Sequence, residues 1–345
     1  MTAPWWHPDQ LTRRRANLAA RGRILTAIRQ FFSARGFVEV ETPSLQVSPG
    51  LEPHLHAMAV TVRDPAGERR PFYLHTSPEF AMKKLLTAGE PRIFQLARVF
   101  RDAERSATHH PEFTMLEWYR AGADYRALVD DCRDLLVACA DAAGCGALRW
   151  QGRDSEPRRP WQRLTVADAF AHHAGIDLLA TAPDPAAPSF ALLNQAATRV
   201  GIAAHDGDDW ESLFFRIFLE RIEPALGVGV PTILTDYPIS MAALAGPSPT
   251  DPRVAERFEL YVAGLELANA FSELTDAAQQ RRRFEADLAK KQALYGERYP
   301  IDEDFLAALD AGFPESAGIA LGIDRLVMLA CGANHIEDVL WAPVM

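Results

Sequence analysis

Arg101–Tyr119 reads RDAERSATHHPEFTMLEWY. It puts an arginine, a pair of histidines, a Pro-Glu-Phe turn and an alternating strand into one hairpin-sized segment. In the second arm the twofold period of a strand places Phe113, Met115, Glu117 and Tyr119 on one face and Thr114, Leu116 and Trp118 on the other. A carboxylate and a phenol then share a face with an aromatic ring. A ring can stack on a base, Arg101 can clamp a phosphate, and Glu117 with Tyr119 can hold an ammonium by charge-assisted hydrogen bonds. The segment reads as a nucleotide-binding hairpin, although taken alone it is equally compatible with an edge strand whose polar face is wet.

Upstream, Ile24, Leu25, Ile28, Phe31 and Phe32 recur at helical spacing and predict an amphipathic helix over Leu11–Arg35, ended by Gly36. A strand over Phe37–Glu41 follows, closed by Pro43. Thr76–Leu86 (TSPEFAMKKLL) has a Thr or Ser cap, Pro78 in its first turn and an apolar stripe through Phe80, Met82 and Leu86, which predicts a helix. Arg92–Phe100 is the next strand, and residues 318–322 form a glycine-rich turn beside Arg325. Residues 141–160, with three glycines, two prolines and many charges, read as a surface excursion and not a domain boundary. Residues 181–188 are a second loop-rich stretch. Helices alternating with strands, without repeats or low-complexity tracts, predict a single α+β domain over residues 1–345, built on a mostly antiparallel sheet flanked by helices.

Composition agrees with a globular chain: 345 residues at 48% hydrophobic content can bury one large core or two modest ones. The net charge of −10 argues against a protein whose main business is gripping a nucleic-acid backbone. The triple-basic runs Arg13–Arg15 and Arg281–Arg283 read as solvated helix faces. No run approaches the roughly 18 apolar residues of a bilayer span, and the start, MTAPWWHPDQLTRRR, lacks the apolar core of a secretory signal. No membrane association and a cytoplasmic location are therefore expected. Cys132, Cys139, Cys145 and Cys331 have neither CxxC spacing nor a histidine cluster suited to zinc, so they read as reduced structural thiols.

Three segments together resemble the catalytic core of class II aminoacyl-tRNA synthetases of the lysyl type, over about Leu11–Trp341. Phe37–Pro43 (FVEVETP) looks like the first motif of that family, which builds a dimer interface. Phe100–Phe113 looks like the second, and Ala317–Leu329 (AGIALGIDRLVML) like the third. About ten residues precede the first helix, too few for the β-barrel anticodon-binding domain that the tRNA-charging lysyl enzymes carry there. A core without that domain resembles the elongation factor P lysine ligases, which lysylate a protein side chain. TSPEF at Thr76–Phe80, HHPEFTMLEWYR at His109–Arg120, RVAERFELYVAGLELANAFSELTD at Arg253–Asp276 and YPID at Tyr299–Asp302 support that branch.

The resemblance implies a chemistry and a site. An amino acid carboxylate attacks the α-phosphate of ATP, with Mg²⁺, and an acceptor amine then attacks the mixed anhydride. Arg101 is implied at the α-phosphate and Arg325 at the γ-phosphate, where catalysis is mostly positioning and charge neutralisation. Glu104, His109, His110, Phe113, Glu266, Asn269 and Gly322 complete the implied ATP site, with Glu266 as the Mg²⁺ ligand by way of ATP. Strict alternation does not put Glu266 on the face of Asn269, so a bulge or loop must intervene. The substrate is implied to be a diamino acid, lysine or (R)-β-lysine, with Glu117 and Tyr119 on the side-chain ammonium, Ser77 and Glu79 on the other amine, and Glu273 nearby. Ala320 stands where the tRNA-charging enzymes have glycine and the ligases have alanine.

The chain departs from the family where Arg-x-Glu becomes Arg101-Asp102-Ala103, with Glu104 one place later, and where His-Asn becomes His109-His110. Glu104 can substitute if the loop shifts by one residue. The expected partners are elongation factor P and a second copy of the chain, a homodimer; tRNA is disfavoured. Two other readings stay open here: a truncated lysyl-type enzyme that acylates tRNA, and a non-catalytic nucleotide-binding regulator.

Overall fold

The computed structural model describes residues 4–344. Residues 1–3 of the amino-terminal stretch read above, and residue 345, lie outside the described residues. Helix α1 spans Pro8–Ser33, starting earlier than expected because Pro8 suits a first helical turn. Its stripe is real: Ile24, Ile28 and Phe32 are fully buried. The run Arg13–Arg15 is not wholly solvated, which corrects the expectation. Arg14 is buried and donates to the carbonyls of Trp5 and Leu340 at 2.8 and 2.7 Å, so it ties α1 to the carboxy-terminal segment.

The strand expected over Phe37–Glu41 shrinks to β1, Val38–Glu39, which pairs in parallel with the start of a later strand before the chain turns away. A small sheet of β2 (Leu45–Gln46), β3 (Ala59–Arg63) and β4 (Arg69–Leu74) follows. Helix α2, Glu79–Thr87, begins later than Thr76. Thr76 is not its cap: the N–H and hydroxyl of Thr76 both donate to Pro49 O, while Ser77 Oγ accepts from Glu79 N at 3.1 Å.

Strands β5 (Arg92–Phe100) and β6 (Glu112–Ala121) form the expected hairpin around the loop 101–111. After α3 (Tyr125–Ala143), the stretch read as a surface excursion carries its own hairpin, β7 (Leu148–Trp150) with β8 (Arg153–Ser155), and Leu148 is buried in the main core. Then come β9 (Gln162–Thr165), the short helices α4 (Val166–Ala169), α5 (Phe190–Arg199) and α6 (Trp210–Ile217), and β10 (Thr232–Pro238). Phe170, Trp210, Phe214 and Phe218 give these helices a core of their own. The chain ends through β11 (Val254–Val262), β12 (Leu265–Ser272), α7 (Ala277–Tyr295), α8 (Glu303–Asp310), β13 (Ser316–Gly322) and α9 (Ile323–Cys331).

The large sheet runs β1-β5-β6-β13-β12-β11-β10-β9. It is antiparallel from β5 to β10, with parallel pairs only at the two edges, the α+β architecture expected. One face packs on α1, α3 and α9 through Leu116, Trp118, Phe258 and Ile319. The other carries α2, α7 and α8 at one end, through Phe80, Phe284 and Phe305, and a cavity beside them. All four cysteines are free, with Cys132 and Cys139 in the core and the Cys139 thiol pushed up to about 12 by burial. Among the described residues no helix is long and apolar enough to cross a membrane.

Residues 318–322 are a strand and not a glycine-rich turn, which is a second correction. Gly318 is a glycine for want of space: between Tyr119 on β6 and Phe271 on β12, a Cβ there would collide with the Tyr119 ring and Glu273 Oε1. Where β13 leaves the sheet after Gly322, Asp324 Oδ2 takes the Thr114 N–H at 2.7 Å. Asp324 Oδ1 accepts from Arg21 of α1, whose Nη2 also donates to Thr114 Oγ1 at 2.9 Å. Breaking such a buried pair strands a charge at a cost of roughly 3–5 kcal/mol, more than replacing both partners by apolar groups. Asp324→Ala should lower the unfolding free energy in urea by that amount, and Arg21→Met combined with Asp324→Leu by clearly less.

Candidate active site

Every residue assigned above to ATP or to the amino acid lines one cavity of about 430 Å³. Three strands build its floor. β6 presents Phe113, Met115, Glu117 and Tyr119, the face that alternation assigned, while Leu116 and Trp118 go to the core behind. β13 presents Gly318, Ala320 and Gly322, and Ala320 sits opposite Glu117 on one side and Asn269 on the other. β12 presents Asn269, Phe271 and Glu273. The register of β12 on β11 slips at Leu267, with Ala268 opposite Leu260 and Glu266 opposite Tyr261. That bulge, required by the spacing of the sequence, brings Glu266 to the cavity with Asn269.

One end of the cavity is cationic. The Arg101 guanidinium lies 5.2 Å above the Phe113 ring and 3.7 Å from Glu104 Oε1, and its buried Nε has no acceptor. A buried donor without a partner costs about 1–3 kcal/mol, which an anion at this point would relieve. Glu104 comes back to the cavity because Ala103, the departure from the family pattern, adopts the left-handed region with φ 60°. Arg325, at the start of α9, donates to Glu266 O at 2.8 Å and reaches His109 Nε2 at 2.7 Å. Burial and then the Arg325 charge hold the His109 imidazole below its ordinary range. Asp324 does not pair with Arg325; it is spent on Arg21 and Thr114. His110 is different in kind. Its Nε2 accepts from Val344 N at 3.1 Å and its Nδ1 lies 2.6 Å from Glu112 O, so both ring nitrogens are used within the protein.

The other end is anionic. Glu117 Oε1 accepts from Ser77 Oγ at 2.6 Å and Oε2 from the Tyr119 hydroxyl at 2.9 Å. Ser77 thus serves Glu117 and not the Glu79 carboxylate, with which the sequence grouped it. Burial, followed by the Glu79 charge, pushes the Glu117 carboxyl up to about 8. Burial also raises Glu273, and it raises Glu52, whose buried Oε2 has no partner. Among the described residues the ammonium in contact with these carboxylates is Lys83, whose Nζ lies 2.5 Å from Glu79 Oε1 and 2.5 Å from Glu273 Oε2. Buried carboxylates in excess of their cations demand a cationic ligand.

Four side chains here escaped the sequence reading. Lys83 carried a signal, the i,i+4 spacing from Glu79 on a helix. Arg257, which donates to Asn269 Oδ1 at 3.2 Å and to Glu259 Oε1 at 2.7 Å, lay inside a quoted run. Glu52 and Asp287, the latter pushed up to about 7 by burial and by Glu52, carried none. Among the described residues no cluster of three His, Cys, Asp or Glu side chains is set to hold a metal ion. Glu266 and Asn269 both line the cavity, a carboxylate and an amide whose oxygens suit Mg²⁺ completed by phosphate oxygens.

The model of the family described as tRNA synthetases class II (D, K and N) matches residues 10–345. A protein of Sodalis glossinidius (strain morsitans) is 43% identical over 328 residues, 94% of each chain, and is named elongation factor P--(R)-beta-lysine ligase. Proteins of the same name from Haemophilus influenzae (strain PittGG) and Vibrio cholerae are 41% and 40% identical, over 94% and 99% of each chain.

The Glu117 carboxyl gives a pH signature. Its value in the folded chain, about 8, is above the ordinary 4.5, so the native state keeps a proton that the unfolded state has lost between those limits. Stability without ligand should therefore fall as pH rises across that window. Glu117→Gln should flatten the fall by up to about 1.4 kcal/mol per pH unit, measured by urea titrations at several pH values.

Proposed function

Since the chain belongs to the class II tRNA synthetase family (D, K and N), in the branch of the elongation factor P--(R)-beta-lysine ligases, we propose that it is an ATP-dependent ligase that activates (R)-β-lysine, or lysine, as the aminoacyl-adenylate and transfers it to a lysine side chain of elongation factor P. The observation that carries the reading is the unbalanced charge of the cavity: an excess of buried carboxylates at one end, and at the other Arg325 and an Arg101 whose Nε lacks an acceptor.

The diamino acid places its distal ammonium on Glu117, where Ser77 and Tyr119 hold the carboxylate in place, and its other amine toward Glu79 and Glu273. Its carboxylate then faces the cationic end. There one carboxylate oxygen attacks the α-phosphorus of ATP, the bond to pyrophosphate breaks, and the mixed anhydride forms. Arg101 neutralises charge on the α-phosphate and Arg325 on the γ-phosphate, with Phe113 beneath Arg101 and beside the adenylate. Glu266, with Asn269, would hold Mg²⁺ through the phosphates; when bound it supplies further charge neutralisation. In the second step the neutral amine of the acceptor lysine attacks the acyl carbon, AMP leaves, and the nitrogen loses a proton to give an amide.

A protein acceptor is favoured over tRNA by the names of the relatives and by the net charge of −10. A homodimer through α1 and the β1 region agrees with exposed apolar side chains there, Val38 at 50%, Leu45 at 42% and Val47 at 47%. We place the reaction in the cytoplasm, with ATP and the translation factor, and treat residues 1–345 as one catalytic unit.

Intact mass of elongation factor P, after incubation with this protein, ATP, Mg²⁺ and either donor, tests the reading, with total tRNA as a parallel acceptor. One lysyl unit gained by the factor and none by tRNA is expected. Acylated tRNA with unmodified factor would overturn it. Glu117→Gln should raise KM for the diamino acid by roughly 30- to 150-fold, the equivalent of about 2–3 kcal/mol for a desolvated charge pair, with KM for ATP unchanged in pyrophosphate exchange.

A further inference from the structure

Lys83 has no part in the roles given so far. It is 2% exposed, on α2, and behind the cavity wall, yet its Nζ touches two of the carboxylates that line the cavity. Apart from Lys83, neither oxygen of Glu273 meets a donor. The next basic residue, Lys84, is turned away to Asp302 at 2.7 Å. Lys291, near Glu52, is spent on the carbonyls of Pro53 and Leu55 at 3.0 and 2.5 Å. Glu117 receives only neutral donors, Ser77 and Tyr119. Lys290, which also lines the cavity, is paired with Glu211 and Asp209, so among the described residues Lys83 is the ammonium given to Glu79 and Glu273.

We propose that Lys83 is a positioning residue that makes the cavity selective for a diamino acid, by holding Glu79 and Glu273 ionised and fixed from behind so that Glu117 is left for the distal ammonium of the substrate. The inference rests on the reading under Proposed function and deepens it. The physical argument is one of like charges. Two carboxylates that share a buried site cannot both ionise without a cation, so without Lys83 one of Glu79 and Glu273 would take a proton. The protonated oxygen is then a donor facing the cavity, where an ammonium needs an acceptor. The site would keep its shape and offer the second amine of the substrate one fixed acceptor carboxylate fewer. Lys83 itself resists deprotonation: burial alone would lower its pKa, but Glu273 and then Glu79 raise it above the ordinary value.

Lys83→Met and Lys83→Arg in ATP–pyrophosphate exchange, with lysine, (R)-β-lysine and the monoamine norleucine, test this. Lys83→Met should raise KM for the diamino acids by about 30-fold or more, with kcat within about threefold and KM for ATP unchanged, and should narrow the preference over norleucine. Lys83→Arg, which keeps the charge, should recover KM to within about fivefold. Unchanged diamino KM in Lys83→Met, or a joint loss of kcat, ATP affinity and diamino affinity that Lys83→Arg does not relieve, would overturn the proposal. Because a lone Glu273 charge could unfold the single variant, Lys83→Met with Glu273→Gln is made alongside; wild-type KM in that double variant would also overturn it. If the unaltered protein exchanges no amino acid, the activation reading falls. Calorimetric binding of 1,5-diaminopentane then decides for Lys83 alone: a tenfold or greater loss in Lys83→Met supports its role, and equal binding refutes it.

Discussion

The arrangement depends on where the carboxylate of Asp324 goes. β13 leaves the sheet after Gly322, and the next bond of the ladder, to Thr114 N, is made by the Asp324 side chain in place of the backbone. The other oxygen takes Arg21 of α1. One buried carboxylate thus joins the first helix, a central strand and the last helix. Its geometry also fixes Arg325, the following residue, at the start of α9 with its guanidinium toward Glu266 and His109. A buried ion pair is a poor source of net stability and a good source of specificity of packing. Here the specificity is what aims a cation into the cavity.

The cavity is costly in the absence of ligand. Glu52, Glu117 and Glu273 are all raised by burial, and Arg101 Nε lacks an acceptor. Each defect lowers the stability of the empty protein and is relieved by a ligand of opposite charge, so the same groups that weaken the fold supply differential binding. The separation of sign matters as much as its size. A molecule with two amines and a phosphate matches both ends, and a diamino acid joined to adenylate is such a molecule. Gly318 belongs to the same economy of space: any side chain there would displace Glu273 and Tyr119, whose hydroxyl donates to Glu117.

Much of the site was legible in one dimension because strands have a strict period. Alternation assigned the face of β6 correctly, and the mismatch of Glu266 with Asn269 demanded the bulge found at Leu267. The sequence did less well where a tertiary partner overrode a local rule. Thr76, a good helix cap by composition, is held instead by Pro49 O. The glycines at 318 and 322 read as a turn but lie in a strand, since lateral crowding and not chain reversal requires the first of them. Arg14, in a basic run, is buried because the carboxy-terminal carbonyls come to it from the far end of the chain.

The α+β class and the strand face that lines the cavity could be read along the chain, because periodicity is a property of sequence neighbours, and the resemblance to the synthetase core implied the residues gathered there. Only the tertiary structure decided how the charges divide. Whether Ser77 serves Glu79 or Glu117, whether Asp324 pairs with Arg325 or Arg21, and which carboxylates Lys83 neutralises are choices among side chains that the sequence leaves equally available. Coulomb energy in a buried site depends on separations of a few ångströms, and those are set by packing between segments far apart in sequence.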